Sequence, residues 1–177
     1  MKSCHFICIC LILLSTACRP DKKVAADNNK WDKDHSVDFN QELAIREQIQ
    51  IKLFLEHNSL KMKLCESGLR YMIYKKGMGL HKAITGQAAK VKLKISLLDG
   101  TICYETIANE SGEYEYFNIE KSEKESGIHE LVKYMKVGDR AKAILPSHLA
   151  HGLLGDRQSI PPQSALYIDI ELIDIKK

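Results

Sequence analysis

Cysteine is nearly absent from most of the chain: of six, Cys4, Cys8, Cys10 and Cys18 crowd into the first eighteen residues, leaving Cys65 and Cys103 for the remainder. Two thiols cannot build a disulfide scaffold, and no structural bridge between them is expected. Proline is scarce too, four in all, which excludes polyproline and collagen-like chains. Neither sign of charge dominates. Lys plus Arg number 26 against 23 for Asp plus Glu, and the lysines are spread out, so no nucleic-acid partner is expected. The apolar run Phe6–Leu14 is nine residues, well short of the ~20 that a spanning helix needs. The seven histidines form no HxH or HExxH pattern and the cysteines no CxxC. His148 and His151, three apart, read as solvated surface or pocket wall, so neither metal nor cofactor is expected. A nucleotide loop, a Gly-x-Ser-x-Gly elbow and an obvious catalytic carboxylate pair are all missing.

What is present is a chain of 177 residues, 45% hydrophobic and 28% charged, enough for one ordinary domain and some additional segments. Lys2 and His5 precede the run Phe6–Leu14, and Ser15-Thr16-Ala17-Cys18 follows it, the pattern of an export signal over residues 1–17. Ser15 and Ala17 suit an ordinary signal peptidase. The segment also resembles a bacterial lipobox, in which Cys18 becomes the acylated N-terminus and several acyl chains make a lasting anchor. Residues 18–37, rich in Asp, Asn and Lys, read as a tether too polar to bury a core.

From Asp38 the pattern is helical. Leu43, Ile45, Ile49, Leu53 and Phe54 fall along one face, Ile51 and Leu55 broaden it, and His57-Asn58-Ser59 reads as the end. Asp38 with Gln41 fits a capping box, so a helical extension is expected over 38–64, packed on the domain or on a partner. Beyond Cys65 the period becomes two. Strands are expected at Leu69–Tyr74, Lys90–Leu97, Thr101–Thr106, Tyr114–Ile119, Arg140–Leu145 and Leu166–Leu172. Asp99-Gly100 predicts a tight primed hairpin turn. Ile128, Leu131, Val132 and Met135 form the apolar stripe of a single short helix stopped by Gly138. The architecture expected for 65–177 is α+β, an antiparallel sheet wrapped around that helix.

The order of motifs resembles the FKBP-type peptidyl-prolyl isomerases. The likeness runs from Ser67-Gly68-Leu69-Arg70-Tyr71 through Leu97-Leu98-Asp99-Gly100 and Gly127-Ile128 to Pro146-Ser147-His148-Leu149-Ala150-His151-Gly152, then Ile160-Pro161-Pro162 and the closing strand. With its leading helix, tether and Cys18, the chain further resembles the FKBP-like lipoproteins of the gliding-motility type. The resemblance implies isomerisation of X-Pro bonds in exported polypeptides, by an envelope protein held to a membrane through its lipid. The prolyl barrier, ~18–20 kcal/mol, falls as the amide twists out of resonance. An apolar cup with a few polar groups is enough, without nucleophile or cofactor.

The pocket positions that the resemblance assigns are Leu93, Cys103, Tyr104, Phe117, Ile128, His151, Ile160, Leu166 and Ile168. Six depart from the family, His151 among them: Cys103 stands for its phenylalanine, Tyr104 for its aspartate, Leu93 for its strand tyrosine, Ile128 for its floor tryptophan and Ile168 for its last-strand aromatic. His151 stands where the family's tyrosine donates to the ligand carbonyl. On this reading Ile160 and Ile168 seat the proline, the Ile160 N–H holds a carbonyl, and His151 and Tyr104 orient the flanking chain. Neutral His151 is the expected donor, so turnover is expected to fall as pH drops through its titration. Loss of aromatic area leaves a second expectation open, a binding or scaffold module with little turnover.

Overall fold

Strict alternation dictates most of the sheet. In the computed structural model, which describes residues 33–106 and 114–176, seven strands form one antiparallel sheet: β1 (Lys63–Leu64), β2 (Arg70–Lys75), β3 (Ala88–Leu97), β4 (Ile102–Glu105), β5 (Glu115–Asn118), β6 (Arg140–Leu145) and β7 (Leu166–Lys176). The hydrogen-bonded order is β1-β2-β6-β7-β3-β4, and β5 pairs with the start of β3. β3 and β7 run side by side over their length, with Ile95 opposite Ile168 and Leu93 opposite Ile170. The described residues from Val37 on belong to one compact unit. The expected signal, Cys18 as the expected lipidation residue, and nearly all of the expected tether lie outside the described residues.

The dry face of the sheet carries Ala89, Val91, Leu93 and Ile95 of β3, Ala141, Ala143 and Leu145 of β6, and Leu166, Ile168, Ile170 and Leu172 of β7. α2 (Ser126–Tyr134) lies in the same cluster and buries Ile128, Leu131 and Val132, with Met135 just beyond its end. Each of the Val, Leu, Ile and Met side chains among these contributes about 1.5–3 kcal/mol by leaving water. Gly127 is required by close approach: a Cβ there would sit 2.5 Å from Leu145 Cγ, so the helix could not seat.

The N-terminal helix α1 spans Lys33–His57. It starts before the expected cap, so Asp38 and Gln41 lie inside it. Its end agrees with the sequence: Asn58 donates its N–H to the Phe54 carbonyl, and Ser59 turns to a φ of 52°. The packed face differs from the expected one. Ile51 is fully buried in a second, smaller cluster with Ile144 and Ala165, flanked by Phe54, Leu55, Met62, Leu98 and Tyr167. Ile45, Ile49 and Leu53 remain exposed, at 61%, 53% and 59%. A helix with apolar residues on more than one side has no single stripe for periodicity to select. Tertiary partners choose, and here Glu47 turns inward as well, its Oε1 accepting the Ser147 N–H at 2.7 Å.

The β3–β4 connection is also a correction. Gly100 N–H donates to the Leu97 carbonyl and Leu97 N–H to the Thr101 carbonyl. Gly100 has a φ of 93°, whereas Asp99 is not left-handed. This is a three-residue loop with a left-handed glycine, the longer alternative to a two-residue primed turn.

Candidate functional site

Six of the expected pocket residues meet in one apolar cluster: Leu93 from β3, Phe117 from β5, Ile128 from α2, Ile160 from the loop before β7, and Leu166 and Ile168 from β7. Cys103 of β4 packs against the cluster, partly buried. Ile128, Leu166 and Ile168 are wholly inaccessible in this structure, and Ile160 nearly so. These positions are therefore apolar and closed to solvent. Phe117 packs edge-on against His129, ring centres 5.3 Å apart. His129 is a satisfied core histidine. Its Nδ1 accepts the Glu120 N–H, and its Nε2 lies 3.2 Å from the Ser122 carbonyl, which requires the neutral Nε2–H form.

Tyr104 and His151 lie outside this cluster, and each engages a carboxylate that sequence reading missed. The loop from His151 to Ile160 is organised by Asp156. Its Oδ1 accepts N–H groups from Gln158 at 2.8 Å, Ser159 at 3.0 Å and Ile160 at 2.7 Å. Its Oδ2 accepts a short hydrogen bond from the Tyr104 hydroxyl. Desolvation pushes this carboxyl upward, but the hydrogen bonds from Tyr104 and the three amides outweigh it and hold it down at about 2. The same bond raises the Tyr104 hydroxyl, and burial followed by the Asp156 charge raises the Cys103 thiol. Gly155 makes the loop possible: at φ 65° a Cβ would lie 2.2 Å from the Ile160 carbonyl oxygen. The Ile160 N–H, expected to hold a peptide carbonyl, is thus already donated to Asp156. Gly155-Asp156 was the available signal, since Asp caps the amides two and more residues ahead of it.

At the start of the same loop, His151 Nε2 lies 3.1 Å from Glu125 Oε1. Glu125 immediately precedes α2, and its carbonyl accepts the N–H groups of Ile128 and His129. Its side chain is only 8% accessible, and Oε2 is buried without a hydrogen bond. Lys124 Nζ stands 3.5 Å from that oxygen and 2.5 Å from Glu115 Oε1. His148 points elsewhere, its Nε2 2.9 Å from the Ser67 carbonyl. Cys65 and Cys103 are both free. Among the described residues no group of three or more His, Cys, Asp or Glu is placed to hold a metal, and no helix is long and apolar enough to cross a membrane.

One antiparallel sheet that shares its apolar core with a single short helix, preceded by an N-terminal helix, defines a class. The chain belongs to the FKBP-type peptidyl-prolyl cis-trans isomerase family, whose sequence model matches residues 79–173. It is 32% identical over 125 residues to the FKBP-type 22 kDa peptidyl-prolyl cis-trans isomerase of Escherichia coli (strain K12), covering 69% of this chain and 58% of that one. It is 35% identical over 136 residues to the FKBP-type isomerase FkpA of Aeromonas hydrophila, covering 76% and 48%. The chain therefore spans about half the length of these relatives. The crystal structure of FkpA from Escherichia coli superposes with a TM-score of 0.64 at 27% identity, over 80% of this chain and 64% of that one.

Proposed function

We propose that the protein is a peptidyl-prolyl cis-trans isomerase acting on proline-containing segments of exported polypeptides at the cell envelope. The observation that supports this reading is that Leu93, Phe117, Ile128, Ile160, Leu166 and Ile168 share one apolar cluster, while Asp156 ties the Ile160 N–H to Tyr104 and Glu125 holds His151. Such a floor can take a proline ring out of water, and the edge can hold the flanking peptide while the amide twists. Cys103 completes the wall. The N-terminal pattern supports a lipid anchor at Cys18 and the further likeness to gliding-motility lipoproteins.

Complete burial of Ile128, Leu166 and Ile168 favours a second reading, an FKBP-fold lipoprotein that binds or scaffolds without turnover, because the floor must open before it can receive a ring. Proline-limited refolding of a model protein separates the two. Isomerase activity predicts acceleration proportional to the amount of added protein. An unchanged refolding rate, with retained binding of the unfolded chain, favours the scaffold.

A further inference from the structure

We propose that Glu125 is a positioning residue that sets the hydrogen-bonding polarity of His151, so that the pocket edge can hold a peptide carbonyl only when His151 is an imidazolium. The proposal rests on the reading of this pocket as a prolyl-peptide site with His151 at its edge.

The argument starts from donors and acceptors. An ionised carboxylate can only accept, so the 3.1 Å contact with Glu125 Oε1 keeps the proton of neutral His151 on Nε2. A neutral imidazole has one N–H, which leaves Nδ1 with a lone pair. A peptide carbonyl needs a donor, and at Nδ1 it meets a second acceptor. Protonation places an N–H at Nδ1 and makes the Nε2–H bond to Glu125 charge-assisted, hence stronger. A hydroxyl at this position would rotate to suit its ligand; this imidazole cannot, because its other nitrogen is taken.

Glu125 is built for the task. With 8% of its side chain accessible and Oε2 buried, the carboxylate cannot swing out to water. Lys124 lies beside it and also holds Glu115 of β5. The formal charges of Glu115, Lys124 and Glu125 sum to minus one, and a protonated His151 brings the group to zero. Along His151's own loop, His148 is held at the Ser67 carbonyl and Asp156 by Tyr104 and the loop amides, so neither replaces Glu125 as its partner. Peptide affinity and turnover should therefore be greater with His151 as the imidazolium than with it neutral. This sign is opposite to the one that neutral His151, taken as a donor, led us to expect.

The test uses the full chain in detergent and an uncharged X-Pro peptide, with kcat/KM followed from about pH 8 to about pH 5.5, where histidine titrates. The wild type should gain about three- to tenfold on acidification, the range set by one added hydrogen bond. Glu125→Gln, whose amide can serve either ring tautomer, should flatten the profile, and His151→Tyr should be flat throughout. Imidazole nitrogen shifts read by NMR should show neutral His151 in the Nε2–H form in the wild type, with that preference lost in Glu125→Gln. A wild-type rate that is flat or falls on acidification, an equal loss at every pH in Glu125→Gln, or an Nδ1–H tautomer overturns the proposal. If neither wild type nor His151→Tyr catalyses at any pH, the isomerase reading fails, and the ring tautomer still decides the role of Glu125.

Discussion

Asp156 shows how much one carboxylate can organise at the scale of a residue. It accepts from three successive amides and one phenol, and these bonds hold its ionisation at about 2 against the opposing effect of desolvation. An unfolded aspartate titrates near ~3.9. Because the folded value is the lower one, the contribution is complete above about pH 4 and is lost as pH falls toward 2. Asp156→Asn should lower the thermal midpoint at neutral pH, and the gap to wild type should close between about pH 4 and pH 2. A gap that persists unchanged through that window would show that the charge is irrelevant to the loop. Ile168 is a different case, since it packs without polar contacts and is fully buried opposite Ile95. Ile168→Ala should cost about 2–5 kcal/mol in denaturant unfolding. It should also weaken binding of a proline peptide; unimpaired binding by the folded variant would remove Ile168 from the pocket.

Among the elements, α1 differs most from its sequence pattern, and its contacts say why it matters. Its inner face sets Ile51 against Ile144 and Ala165 and hands Glu47 to the Ser147 N–H, at the start of the segment that carries His151. The helix thus braces the site from outside the sheet. Glu47→Ala leaves a buried N–H unpaired and should cost about 1–3 kcal/mol, with Glu47→Gln restoring most of it through its amide oxygen. Faster hydrogen exchange at the Ser147 amide in the Ala variant is the direct readout; an unchanged rate would mean that the bond contributes nothing in solution. α2, by contrast, behaves as its short stripe requires: it buries Ile128, Leu131 and Val132 together.

For the whole molecule, the question is where it sits. The lipid-anchor reading depends on Cys18 following a small-residue run. Cys18→Ser should move the protein from the membrane fraction to the soluble one. Continued membrane association would mean that some other segment holds it there.

Much of the fold was legible because strands and the short helix are local periodicities. Alternation in Leu166–Leu172 and Lys90–Leu97, and the stripe from Ile128 to Met135, each follow from which side chains must leave water. The burial of the apolar residues proposed for the pocket was legible with them, through the same periodicities. The polar half of the site was not: Glu125 and His151 are 26 residues apart, Tyr104 and Asp156 are 52 apart, and Glu47 and Ser147 are 100 apart. A hydrogen bond depends on distance and direction between groups that only the folded sheet brings near one another. The tendency of an apolar side chain to leave water is its own property and can be read from the sequence. The tautomer of His151, the donor role withheld from Ile160 and the face that α1 turns inward are properties of pairs, and only the tertiary structure decides which pairs exist.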